Sequence, residues 1–195
     1  IFQAAREMLD GGGNAALVTI VSAEGFVPVS ATSKLLVTST GTLLGRSGSD
    51  VLDADIRAEA QRVLAQGPHV SRQFCVLDKD AVASGWYRSW MVELLIEPLR
   101  EQASELLRAL VALEDTGHRG TLATILTEHP RYPTGCRKLL VCDDGTMVGS
   151  LGDARLEAVV QHRGQDVLLG EQRLLEEYPT EDGSTLRLLL EPILP

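Results

Sequence analysis

Two short glycine- and serine-rich segments carry the residue types best suited to holding an anion. The first, Gly45–Asp50, lies between a predicted strand and a predicted helix, where free backbone N–H groups and the helix dipole can hold a phosphate. We therefore select Ser47, Gly48, Ser49 and Asp50 as candidate binding residues. The alternative is a structural cap, because aspartate is a good N-cap residue and Asp50 would then satisfy the same donors internally. Residues 149–153 repeat the arrangement, with Asp153 in the capping role.

Two lysines occupy matching places in the sequence. Lys34 and Lys138 each follow a proline-containing loop and open a predicted strand, where an ammonium group can contact a phosphate or carboxylate. The competing interpretation is a solvated edge residue that discourages pairing with other chains. Both interpretations remain open from the sequence.

No catalytic centre or metal site is predicted. The histidines, His69, His118, His129 and His162, lack metal-ligand spacing and are interpreted as surface residues. The cysteines, Cys75, Cys136 and Cys142, form no Cys-x-x-Cys pair and have no partner histidine, so Cys136 and Cys142 are interpreted as packing residues. Carboxylate pairs such as Glu176 with Glu177 are interpreted as solvated faces.

Aromatic residues are concentrated in one short segment that contains Trp86, Tyr87 and Trp90. Such residues anchor interfaces or flat ligands, but they also pack in cores. Interface contact and burial are therefore both retained as alternatives.

An internal repeat organises these residues. Residues 16–21 are echoed by residues 121–126, Lys34–Val37 by Lys138–Val141, and both copies end in an apolar run closed by Glu-Pro. The sequence therefore predicts an α+β protein made of two tandem repeats, residues 1–100 and 101–195. We hypothesise that the repeats pack about a pseudo-twofold axis; the alternative is two modules joined by a linker, which the short connector disfavours.

Each repeat is predicted to contain a leading helix, several strands and a second helix. In the first copy the strands are expected at residues 15–22, 34–39, 42–46, 70–77 and 91–96, and the second helix at residues 50–65. In the second copy the last two strands are expected at residues 174–178 and 186–190, joined by an Asp182-Gly183 turn.

Composition excludes several classes of partner. The net charge of −9 and the absence of a basic stripe argue against nucleic acid. No apolar run is long enough to span a membrane, and neither end has the pattern of a targeting signal. The odd number of cysteines, without Cys-x-x-Cys spacing, suggests no disulfide framework and favours a reducing cytoplasm.

The first copy resembles the amino-terminal domain of the xanthine dehydrogenase accessory factor (XdhC/CoxI) family. The likeness rests on Ala16–Val21, Glu24–Pro28, Lys34–Val37, Gly45–Ile56 and the closing strand Met91–Leu99. The second copy repeats it more weakly from about residue 106 onward. The family's cysteine positions hold Val51, Arg88 and Arg155, and its proline loop appears in the second copy as residues 130–134 with Arg131. The dinucleotide-type carboxy-terminal domain that often follows in the family is not found.

The resemblance implies an accessory role in the maturation of molybdenum hydroxylases, with molybdenum cofactor as bound cargo. The first hypothesis is a non-enzymatic cofactor-binding protein that uses loops near Lys34, Ser47–Asp50, Arg131 and Lys138. The second is a protein-protein interaction module that docks Trp86 and Trp90 on a hydroxylase subunit or a chaperone. The third is a sulfur-transfer enzyme component, which the missing thiols disfavour.

Overall fold

The computed structural model describes residues 1–25, 33–67, 70–77, 89–130, 132 and 137–194. It divides the chain into two compact units, whose main segments are Gln3–Glu101 and Gln102–Pro195. No helix among these residues has the length and apolar character needed to cross a bilayer.

The first unit contains two described helices and five strands. They are α1 Phe2–Asp10, β1 Ala15–Gly25, β2 Lys34–Thr38, β3 Leu43–Leu44, α2 Asp50–Gln66, β4 Val70–Leu77 and β5 Ser89–Pro98. A 3-10 turn, Glu101–Ala103, leads into the second unit.

The second unit has the same order of elements. They are α3 Ser104–Thr116, β6 Gly120–Ile125, β7 Lys138–Cys142, β8 Met147–Ser150, α4 Ala154–Gly170, β9 Leu174–Pro179 and β10 Thr185–Ile193. The predicted α+β class and the tandem duplication are confirmed.

Both sheets are antiparallel and have the same topology. The strand orders are β3-β2-β1-β5-β4 and β8-β7-β6-β10-β9. In each unit the first and last strands are neighbours at the sheet centre, with Leu17 opposite Glu97 and Leu122 opposite Glu191. A register shift between Ile20 and Ser22 marks a bulge, beyond which β1 continues to pair as far as Gly25.

One helix packs against the sheet of each unit through a regular apolar stripe. Leu52, Ile56, Ala60 and Val63 of α2 are buried with strand residues in the first core, as are Leu156, Val160 and Val167 of α4 in the second. Spacings of three and four residues place these side chains on a single helix face. Removing this apolar surface from water is the main term that stabilises each unit.

The strands extend further than the sequence predicted. β5 begins at Ser89, which pairs with Leu77, and reaches Pro98, which pairs with Ala16. β10 reaches Ile193, which pairs with Gly120. The predicted strand at 42–46 is shorter, since only Leu43 and Leu44 pair with β2.

Candidate functional site

The strand–helix loop of the first unit is organised around the N-terminus of α2. Ser49, in an extended conformation, is the N-cap residue, and its side chain accepts a hydrogen bond from the Leu52 backbone N–H at 3.4 Å. The prediction that Asp50 is the cap was therefore wrong by one residue. Asp50 is exposed and is the first residue of the helix.

Polar groups of this loop are hydrogen-bonded to one another. The Ser47 N–H donates to Asp53 Oδ1 at 3.1 Å, and the Ser49 N–H donates to Ser47 Oγ at 3.3 Å. The Ser47 hydroxyl, which is fully buried, donates in turn to the Ser49 carbonyl at 3.0 Å. Gly48 has φ of 86°, a conformation that favours glycine. The capping contacts thus engage the N–H groups of Ser47, Ser49 and Leu52 within the loop itself.

The second unit builds the equivalent loop with stronger acceptors. Asp153 accepts from the Arg155 and Leu156 N–H groups at 2.9 and 3.3 Å, which confirms its predicted capping role. Glu157 accepts from the Leu151 N–H and from the Ser150 hydroxyl, both at 2.7 Å. Two carboxylates therefore occupy the helix N-terminus, where they also complement its dipole.

The two lysines lie in matching inner positions of the two sheets. Lys34 Nζ donates to Thr19 Oγ1 at 3.2 Å, and Lys138 Nζ donates to Thr124 Oγ1 at 3.1 Å. Lys34 is only 7% exposed, and its strand β2 lies between β1 and β3. The edge-residue interpretation was wrong, because β2 and β7 are paired on both sides. Burial of an ammonium group requires polar partners, and each threonine hydroxyl supplies one.

Three loops of the second unit meet at one end of its sheet. We call this the loop cluster: the β6–β7 loop with His129 and Tyr132, the start of α4 with Asp153 and Arg155, and the β9–β10 turn, Thr180–Ser184. Tyr132 Oη donates to Asp153 Oδ2 at 3.2 Å. Arg155 Nη1 donates to Glu181 Oε1 at 2.7 Å. His129 Nε2 lies 3.0 Å from Asp182 Oδ2.

These contacts tie each loop of the cluster to another. Hydrogen bonds from Thr180, then from Ser184, lower the pKa of Asp182, and His129 adds to the effect. Arg137, 3% exposed, donates through Nε and Nη2 to the Ile125 carbonyl at 3.1 and 2.8 Å. Neither Tyr132 nor Arg137 was predicted as a site residue from the sequence, although Arg137 directly precedes Lys138. Arg155, where the resemblance places a cysteine, forms an ion pair with Glu181.

Some candidate residues lie outside the described part of the chain. They include Arg131, Trp86, Tyr87, Arg88, His69 and Cys136. Trp90 is described, is 4% exposed and belongs to the first core. Burial is therefore the correct alternative for Trp90, and a docking role for it was wrong.

The sequence predictions for the remaining histidine, cysteine and acidic residues are only partly confirmed. His118 and His162 are exposed as predicted, whereas the His129 side chain is 9% exposed and contacts Tyr132. Burial, then Asp144 and Asp143, raise the pKa of the Cys142 thiol. Within the described ranges no three histidine, cysteine or acidic residues are grouped to hold a metal ion. Glu176 is not a solvated carboxylate, since it pairs with Arg163, and this contact lowers its pKa.

Comparison with known proteins agrees with the duplicated architecture. The model of the XdhC and CoxI family matches residues 8–74 and 113–179, one segment in each unit. A crystal structure described as a xanthine dehydrogenase from Bacillus halodurans has a similar fold, with a TM-score of 0.66 and 13% sequence identity. The superposition covers 100% of this chain and 52% of that one, so the chain spans about half of its length. No curated protein matches the chain significantly.

Proposed function

The chain belongs to the XdhC and CoxI family, and on this premise we propose that it is a non-catalytic accessory protein for the maturation of molybdenum hydroxylases of the xanthine dehydrogenase type. The observation that carries the proposal is the family match in both units, residues 8–74 and 113–179. Its task in this proposal is binding, with molybdenum cofactor as cargo and a hydroxylase subunit as recipient.

The proposed cargo contacts rest on cationic side chains more than on backbone donors. The phosphate of the pterin is an anion, and Lys34 and Lys138 provide an ammonium group at the same position of each unit. The N–H groups of Ser47 and Ser49 already have internal acceptors, so the Ser47–Asp50 loop would shape the site. Arg131 is the further predicted contact in the second unit.

A second candidate function, recognition of the hydroxylase without cofactor binding, is favoured by the loop cluster. Its Tyr132–Asp153, His129–Asp182 and Arg155–Glu181 contacts join the three loops to one another. An end of the sheet that is closed in this way suits a rigid protein-binding surface.

Sulfur transfer is the least supported role. A nucleophilic thiol needs a lowered pKa in an accessible, electropositive setting, whereas the pKa of Cys142 is raised by burial and by two aspartates. Cys142 also lies at the end of β7 that is farther from Lys138. The family's cysteine positions in the described residues hold Val51 and Arg155.

The test is an anaerobic titration of the full chain with isolated molybdenum cofactor, followed by calorimetry. Lys34→Met and Lys138→Met remove each ammonium group but keep an apolar stem of similar length. Arg108→Met, at an exposed position of α3, is the control for loss of one positive charge. We expect saturable binding that one lysine variant weakens at least roughly tenfold, the size of a lost charged hydrogen bond.

Absence of saturable binding by the wild-type chain would contradict cofactor carriage. Purified hydroxylase subunit would then be mixed with the chain and analysed by size-exclusion chromatography. A stable complex that both lysine variants retain would favour the interaction module. Equal cofactor affinity in the wild type and both variants would show that the lysines are not the contacts.

A further inference from the structure

A cluster of three charged residues joins the helix to the edge strand in the first unit. Glu59 of α2 is 5% exposed, and its Oε1 accepts a hydrogen bond from Arg72 Nε of β4 at 2.9 Å. The other carboxylate oxygen pairs with Arg62, three residues further along the helix. The cluster therefore has one acidic residue at its centre and two basic partners.

The second unit has a cluster at the same place with the opposite charges. Arg163 of α4 pairs with Glu176 of β9, and its Nη1 donates to Asp166 Oδ2 at 3.1 Å. Glu176 also accepts from Tyr178 Oη at 2.9 Å. Here a basic residue is at the centre and both partners are acidic.

The two clusters occupy equivalent positions in the two units, as the neighbouring core residues and the strand register show. Glu59 directly precedes Ala60 of the first core, as Arg163 precedes Gly164, which is buried against Thr121 at the same level of the helix. Arg72 lies opposite Leu94, and Glu176 lies opposite Leu188. Those two leucines in turn lie opposite Ile20 and Ile125, which match in the repeat.

We propose that the inverted charges make each helix select the edge strand of its own unit. If the edge strands were exchanged, α2 would meet β9 and place Glu59 against Glu176. The other exchanged site, α4 with β4, would place Arg163 against Arg72. Both sites would then hold two like charges. Such a pair is unfavourable here because one member of each, Glu59 or Arg163, is more than half-buried.

The apolar faces of the two helices discriminate poorly between the two edge strands. The helix stripes differ mainly by small changes, such as Ile56 for Val160 and Ala60 for Gly164. Duplicated units are prone to exchange of this kind during folding, and edge strands are the elements most easily displaced. The charge pattern supplies the distinction that these side chains lack.

The test compares two charge-inverted variants of the full chain. The triple variant Glu59→Arg, Arg62→Asp and Arg72→Glu gives the first unit the charges of the second. Every native pair remains attractive, but the distinction between the units is lost. The sixfold variant adds Arg163→Glu, Asp166→Arg and Glu176→Arg, so that both units are inverted and the distinction returns.

Each protein is refolded from denaturant over a range of chain concentrations, and the monomer fraction is measured by size-exclusion chromatography. We expect the triple variant to lose monomer to exchanged oligomers and aggregates several-fold more than the wild type. The sixfold variant should recover most of the monomer. Any packing cost of an arginine at position 59 is common to both variants. The three added substitutions bring only further cost, since Glu176→Arg also removes the acceptor of the Tyr178 hydroxyl, so recovery of monomer in the sixfold variant reports selection. Refolding of the triple variant as efficiently as wild type, or no recovery in the sixfold variant, would overturn the proposal.

Discussion

Replacing Gly149 with alanine would place a methyl group against the backbone of the neighbouring strand. Gly149 lies in β8 with φ of 93°, and a Cβ there would be 2.4 Å from the Lys138 carbonyl oxygen. That carbonyl belongs to β7, which pairs with β6 on its other side and has little freedom to move. The substitution therefore combines conformational strain with a steric clash.

The expected cost is the sum of two contributions. A left-handed conformation costs an L-residue about 1–2 kcal/mol. Forcing a methyl group into a closed site costs about 1–3 kcal/mol more. The free energy of unfolding should thus fall by about 2–5 kcal/mol, a large part of the roughly 5–15 kcal/mol typical of a folded domain.

Gly145→Ala is the matched control, because it isolates the conformational part. Gly145 has φ of 85°, but nothing lies within 4 Å of its added Cβ. This variant should lose only about 1–2 kcal/mol. Urea unfolding followed by far-ultraviolet circular dichroism gives both values, provided that the m-values agree with wild type. A Gly149→Ala variant no less stable than Gly145→Ala would refute the steric argument.

Three further predictions concern the second unit. Burial and the Glu176 carboxylate raise the pKa of Tyr178 to about 12, above the unfolded value of about 10. The protonated Tyr178 hydroxyl therefore stabilises the folded state fully at pH values below the unfolded pKa. This stabilisation is lost as the pH rises through the folded pKa. Alkaline unfolding curves should show this loss in wild type and not in Tyr178→Phe. Asp153→Ala should lower stability by about 1 kcal/mol by thermal melting, whereas Asp153→Ser, which copies Ser49, should retain most of it. In a chain whose other cysteines are replaced by serine, the Cys142 thiol should be alkylated more slowly than a free peptide thiol. The added substitution Asp144→Asn should raise the alkylation rate. Equal rates with and without Asp144→Asn would contradict the assigned causes of the raised pKa.

The fold was predictable because each helix and strand of the first copy has a counterpart in the second, so the two copies could be compared. The match of Lys34–Val37 with Lys138–Val141 placed β2 and β7, and the apolar stripes placed α2 and α4. The ends of the strands were not predictable, because they depend on the partner strand. The last residues of β1, for example, are ordered by β5 beyond the bulge.

The site was predictable only where a contact is local in sequence. Capping by Asp153 could be recognised because its carboxylate accepts hydrogen bonds from the backbone N–H groups two and three residues later. Burial of Lys34 could not, since it follows from the inner position of β2 in the sheet. The Glu59–Arg72 and Arg163–Glu176 pairs join a helix to a strand, and nothing in the local pattern indicates which charges meet.

The central position of the first and last strands affects how each unit emerges during synthesis. β1 leaves the ribosome before β5, because its partner at Pro98 follows Ala16 by roughly 80 residues. At ordinary rates of translation this is a delay on the order of ten seconds. Throughout that interval the edge of β1 that later pairs with β5 has no partner strand from its own unit. The same delay separates the synthesis of β6 from that of β10. A nascent chain of this design therefore exposes an unpaired edge of a central strand for as long as its partner is being synthesised, and such an edge is open to pairing with other chains.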